Sequence, residues 1–207
     1  MYANEIFQPD VAGKDLIEAI LNLMNRIKNK SVYPKALTLC NITSIYKNKG
    51  SHNAFSSYRG IFRVQALRNI LERLLYNDEY HNIDSNLTDA NVGARQKRNI
   101  RDNIFVLNAV MNEARQGTKE PVDITVYDVE KCFDALWVQE CINDIYDSGL
   151  KNNKLNILYL MNHHAEVAIK TTSGMTERTH MTNLIMQGSV WGSLFCTASM
   201  DKLPRLQ

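Results

Sequence analysis

Apolar residues recur along this chain at two spacings, and the spacings predict where it forms helices and strands. Within residues 1–30, Ile17, Ile20, Leu21, Leu23, Met24 and Ile27 fall at three- and four-residue steps, which predicts one helix. Asn29 and Lys30 end it, and Pro34 follows. The β-branched and apolar run 38–46 predicts a strand, the basic stretch 47–53 a turn, and residues 57–64 a second extended segment. Residues 65–80 read as a helix with Leu67, Ile70, Leu71, Leu74 and Leu75 on one face. A loop over 84–95 leads into a helix over 104–115, with Gly117 as its stop. Val122, Ile124 and Val126 alternate through a short strand at 121–127. Helices are expected at 138–147 and 155–162, then strands at 165–170 and 179–186 around a Ser173-Gly174 turn. An apolar tail over 192–203 reads as helical.

Composition narrows the class. The 207 residues are 44% hydrophobic and 22% charged, which excludes a disordered tail, a collagen-like chain and a coiled coil. That length suits one large domain or two closely packed subdomains. Lys and Arg number 24 against 22 Asp and Glu, a net charge of +2, so any case for a nucleic-acid partner rests on local clusters. The four cysteines form no CxxC pair. They fit reduced thiols of an intracellular protein, in the cytoplasm or the nucleus, better than a disulfide frame or a zinc site. Residues 179–200 lack Asp, Glu, Lys and Arg, yet Asn183, Gln187, Ser189 and Ser193 mark buried core rather than a membrane span.

Two segments carry candidate chemistry. The strand ending at Tyr127 runs straight into Asp128. A strand that ends in a carboxylate presents it at a sheet rim, where a hard divalent cation finds an oxygen ligand. The same residue also reads as a turn aspartate capping the segment that follows. Further on, Met186-Gln187-Gly188-Ser189 closes a strand with small residues that allow a backbone or a base to approach closely. An ordinary strand–turn–helix corner has the same pattern. His163 and His164 are adjacent but have no partner at metal-ligand spacing. Cys132 lies near Asp128 with no evident base to activate it, and Trp191 reads as packing.

The order of these segments resembles the reverse transcriptase domain of non-LTR, LINE-like retrotransposons. Ile45-Tyr46-Lys47-Asn48-Lys49-Gly50, followed by Tyr58-Arg59-Gly60-Ile61, resembles that family's fingers segment, with Gly60 where proline is usual. Val92-Gly93-Ala94-Arg95 resembles its Gly-Phe-Arg segment, with Ala94 replacing the aromatic. Tyr127-Asp128 through Phe133-Asp134 matches the first palm motif. Gln187-Gly188-Ser189-Val190-Trp191-Gly192-Ser193 matches the Gln-Gly motif, with Ser193 where proline is usual.

The resemblance implies an α+β right-hand polymerase: fingers over about 1–116, and over about 117–207 an incomplete palm whose antiparallel sheet is backed by helices. It implies RNA-directed DNA polymerase activity with an RNA template, a DNA primer and dNTPs. Asp128 would be the catalytic metal carboxylate and the Val129 carbonyl a further ligand. Two Mg²⁺ ions (Mn²⁺ as a substitute) roughly 3.5–4 Å apart would activate the primer 3′-hydroxyl and stabilise the leaving pyrophosphate. Arg59 and one of Lys47 or Lys49 would contact the triphosphate. Phe133 would sit beneath the sugar and exclude a 2′-hydroxyl, although as an isolated residue it reads more readily as core. Gln187 and Gly188 would lie against the templating pair. Arg95, Lys97, Arg98 and Arg101 would hold the template backbone, or else form a plain charged helix face. The family's aromatic–x–Asp–Asp hairpin has no counterpart here. That implies a domain truncated before that motif, inactive alone, whose partners include the rest of a retroelement polyprotein. The alternatives are an inactive nucleic-acid-binding remnant and an RNA-dependent RNA polymerase.

Overall fold

The computed structural model describes residues 13–118, 121–130, 132–181 and 185–203. Helix α1 (Lys14–Lys30) buries Met24 and Ile27 and ends where Ser31 turns into the left-handed region at φ 51°. Strand β1 (Leu39–Tyr46) and strand β2 (Tyr58–Arg63) form an antiparallel pair with Ile45 opposite Arg59 and Tyr46 opposite Tyr58. The turn between them holds itself together. The Lys47 amide donates to Ser57 O at 2.8 Å, Tyr46 Oη donates to Gly50 O, and the Tyr46 ring stacks on His52.

Helix α2 (Ala66–Asp84) follows, then a loop over 85–99 and helix α3 (Ile100–Glu113). After residues 121–130 come α4 (Cys132–Ala135), α5 (Val138–Asp147) and α6 (Asn152–His163). Strands β3 (Glu166–Thr171), β4 (Gly174–Met175) and β5 (Thr179–His180) precede helix α7 (Gly192–Met200). The sheet order is β2-β1-β3-β4, with β5 also paired to β3.

Two cores hold these parts together. The larger packs α1, α2, α5, α6 and α7 around Leu71, Leu75, Ile145, Ile157, Trp191 and Phe195. The smaller lies against the sheet and contains Cys40, Phe62, Ala165, Val167 and Met186. Apolar area removed from water drives both, at roughly 25 cal/mol per Å². Among the described residues no helix is long and apolar enough to cross a membrane.

The fold class is the α+β arrangement that the sequence predicts, with four differences in detail. The sheet is mixed rather than antiparallel, because β1 and β3 run parallel, with Cys40 opposite Val167. Residues 121–129 form no strand, and Val126 is 85% exposed. Their alternation marks a face that could be buried, but a strand exists only when another strand pairs with it, and none of the described strands does. Helix α3 starts at Ile100 because Asn99 caps it in a box with Asp102. It buries no residue, and Phe105 is 74% exposed. The expected strand at 179–186 is reduced to β5, and residues 182–184 lie outside the described set, as do residues 1–12 of the first predicted helix.

The loop over 85–99 is fastened by polar contacts. The Arg95 guanidinium donates to the Asp84 carboxylate at 2.7 Å and to the carbonyls of Asp84, Thr88 and Asn91. The Asp201 carboxylate, just past α7, accepts from the amide and hydroxyl of Thr88 and from Asn91 Nδ2. The hydrogen bond from Arg95 holds the Asp84 carboxyl below the usual carboxylate range. A depressed folded-state pKa contributes stability above the unfolded value and loses it as pH falls through the folded one. The urea midpoint is therefore expected to fall below about pH 4. Asp84→Asn should lower the midpoint at neutral pH and flatten that acid limb. An acid limb identical in the variant would show that the pair contributes nothing.

Candidate active site

The site is organised from α2. Arg68, Leu71, Glu72 and Leu75 form its buried stripe, so the buried face is centred on two charged residues and Leu74 points outward. Arg68 Nε donates to Glu72 Oε1 at 2.8 Å, and both side chains are essentially inaccessible to solvent. The guanidinium also donates to Met161 O at 2.8 Å and to Asn162 Oδ1 at 3.3 Å. Burial works against its charge, and the neighbouring Glu72 outweighs that, so its pKa lies above the ordinary value. The second carboxylate oxygen of Glu72 accepts from Ser189 Oγ at 2.8 Å and from the Val190 amide at 2.9 Å. Trp191 Nε1 donates to the Glu72 carbonyl at 3.0 Å.

The turn at 187–190 is thus pinned from one side by α2. From the other side it is pinned by β2, where the Phe62 amide donates to Gln187 O at 2.8 Å. Gly188 sits at φ +109°, and a Cβ there would stand 2.8 Å from Phe62 O. Both conditions exclude a side chain at this position.

Beside that turn lies a cleft of about 1210 Å³. Its first wall is the β1–β2 turn and β2, carrying Lys47, Lys49 and Arg59. Its second is residues 128–130 and 132–134, carrying Asp128, Val129, Phe133 and Asp134. The turn itself contributes Gln187, Gly188 and Ser189. All eight residues that the sequence assigned to the metal or the nucleotide therefore line one cavity. Lys47 Nζ donates to Ser56 O at 2.9 Å, while Arg59 and Asp128 are exposed to the cleft. Phe133 is half-buried. Its carbonyl accepts from the Ile185 amide at 3.2 Å, and a Cβ at Gly192 would lie 3.7 Å from its ring.

Electrostatically the cleft has cations on one wall and carboxylates on the other. Glu130 lines it together with Asp128 and Asp134. Among the described residues, however, no group of three or more His, Cys, Asp or Glu is arranged to hold a metal ion. These side chains alone therefore do not complete a two-metal centre.

The four residues expected to hold a template do not act as one group, and none lines the cleft. Arg95 is buried, and its guanidinium is engaged by the loop over 84–91, so it fastens that loop and is closed to a phosphate. Arg98 pairs with Asp89 at 2.6 Å. Lys97, at φ 60°, and Arg101, in the first turn of α3, are exposed. Reading the sequence missed Arg68 and Glu72. The available signal was an arginine and a glutamate four apart, flanked by Leu67, Leu71 and Leu75.

No protein-family model matches the chain, and no curated protein matches it. Among solved structures it is similar to apo telomerase from Candida tropicalis truncated from the C-terminal domain. The two share 14% identity at a TM-score of 0.51, over 89% of this chain and 43% of the telomerase chain. This chain thus spans less than half the length of that one. At such identity the likeness carries the fold, an α+β arrangement like the fingers and palm of a polymerase.

Removing one partner of a buried, hydrogen-bonded ion pair leaves the other charge without compensation. Glu72→Ala is expected to cost about 3–5 kcal/mol in urea unfolding. The double change Arg68→Met, Glu72→Leu should recover part of that loss. A single-variant loss below about 1 kcal/mol, the scale of an exposed pair, would show that the Arg68–Glu72 pair does not hold the turn in place.

Proposed function

We propose that this chain is the fingers and part of the palm of a nucleic-acid polymerase of the reverse transcriptase kind, related to those of non-LTR retrotransposons. The observation that carries the reading is the meeting of Lys47, Lys49, Arg59, Asp128, Phe133, Gln187 and Gly188 on one cleft, from segments far apart in the chain. The fold likeness to telomerase supports the polymerase class.

In this reading an incoming dNTP lies along the cleft. Arg59 and Lys47 or Lys49 neutralise its phosphates, Arg through a planar fork and Lys as a mobile point charge. Phe133 is placed beneath the sugar, where an aromatic ring leaves no room for a 2′-hydroxyl. Gln187 and Gly188 lie beside the base pair formed with an RNA template, and their backbone is fixed by Glu72 and Phe62. Phosphoryl transfer relies mainly on positioning and charge neutralisation, which this arrangement supplies in part. Asp128, with the Val129 carbonyl, would give one carboxylate to a Mg²⁺ or Mn²⁺ site. Among the described residues no group of three or more His, Cys, Asp or Glu is arranged to hold that ion.

That shortfall favours a second reading for the chain as it stands: a nucleic-acid-binding module that performs no chemistry. The two make different predictions. If the cleft takes a triphosphate, Arg59→Ala should weaken binding of a fluorescent dNTP by about 10- to 100-fold, since a hydrogen bond to a charged group contributes roughly 1.5–3 kcal/mol. If Asp128 addresses a metal, Asp128→Asn should remove the Mg²⁺ dependence of that binding. Binding of an RNA–DNA duplex that neither change alters would favour the binding module. In either case the 207-residue chain is expected to incorporate no dNTP into a primer. Robust Mg²⁺-dependent incorporation by the purified chain would overturn that expectation.

A further inference from the structure

Cys132 and Cys196 come from segments 64 residues apart, and their Sγ atoms lie 2.8 Å from each other. Cys132 opens α4, immediately before Phe133, and lines the cleft. Cys196 stands in the middle of α7, the helix that leaves the Gln187–Ser189 turn. Both are half-buried. The other two cysteines differ: Cys40 and Cys141 are buried, and Cys141 contacts Ser199 Oγ at 3.5 Å. All four are free thiols.

We propose that Cys132 and Cys196 form an oxidation-responsive thiol pair that closes to a disulfide joining α4 to α7 beside the cleft. A disulfide needs about 2.05 Å between sulfurs and Cβ atoms on facing sides, so two thiols already in contact require little movement of the chain. Burial first, and then the contact with Cys132, pushes the Cys196 thiol up to about 12, so the resting pair is reduced and protonated on that side. Cys132 is the sulfur that a small oxidant reaches, because it faces the cleft.

With a low-molecular-weight disulfide as oxidant, Cys132 Sγ gives up its proton and attacks one sulfur. A mixed disulfide forms and one thiolate leaves. Cys196 then gives up its proton and attacks Cys132 Sγ, displacing the second thiolate. The two protons pass to the departing thiolates. Two protein thiols are oxidised and one small disulfide is reduced to two thiols. The new bond closes a loop of 64 residues and fixes Phe133 against the start of α7. This pairing does not depend on the polymerase reading.

The test uses the folded full chain with oxidised glutathione as the probe. The expected result is loss of two of the four free thiols, a mass decrease of about 2 Da, and a single Cys132–Cys196 crosslinked peptide on mapping. Dithiothreitol should reverse all three. The urea midpoint of the oxidised chain should exceed that of the reduced chain, since crosslinking restricts the unfolded state. Cys132→Ser and Cys196→Ser should each abolish the bond, whereas Cys141→Ser should leave it intact. Retention of four free thiols would overturn the proposal. So would a stable glutathione adduct on Cys132, a bond to Cys141 or Cys40, or a bond between two copies of the chain.

Discussion

A buried charge pair on α2 sets the geometry of this molecule. Arg68 and Glu72 are sealed from solvent and so cannot rely on water for hydration. The energetic penalty of that burial is met only if every polar atom of the pair finds a partner. Those partners come from the last turn of α6, which accepts from Arg68, and from the hydroxyl and amide of the Ser189–Val190 turn, which donate to the Glu72 carboxylate. The arrangement admits little variation, because moving any one of these elements strands a charge. The Gln187–Gly188 backbone is rigid for this reason, and its rigidity gives the cleft a fixed rear wall.

Much of this could be read in the sequence because it is periodic or local. The three- and four-residue rhythm of α5 and α6 and the β-branched run of β1 lie within short windows of the chain, and each motif around Asp128 and Gln187 is itself short, although the two stand 59 residues apart. What could not be read depends on distant partners. Residues 121–127 alternate like a strand, but alternation indicates only that a face could be buried and cannot supply the neighbour that pairs with it. On α2, a periodicity argument treats arginine and glutamate as outward-facing, which turned the expected face toward Leu74. The stripe that is actually buried needed knowledge of Met161 and Asn162, roughly ninety residues away. Arg95 was misread for a related reason. Its acceptors are loop carbonyls, which every sequence possesses and none displays.

Sharing 14% of its residues with telomerase over most of its length, the chain shows how little of a fold depends on particular side chains. Cores tolerate wide replacement when volume and patterning persist. The positions that tolerate least are those with geometric conditions of their own. Gly188 is one, because a methyl group there meets the Phe62 carbonyl. The helical core around Leu71 and Ile145 is under a looser condition that many apolar sets could satisfy.

Helix α2 spans 19 residues, or about 28 Å of rigid rod at 1.5 Å per residue. Near its start it grips the rear wall of the cleft, and at its far end Asp84 grips the loop fastened by Arg95. The two grips are mechanically in series. The loop over 85–99 and the rear wall of the cleft thus take their places from the two ends of one helix, whose length sets the span between them.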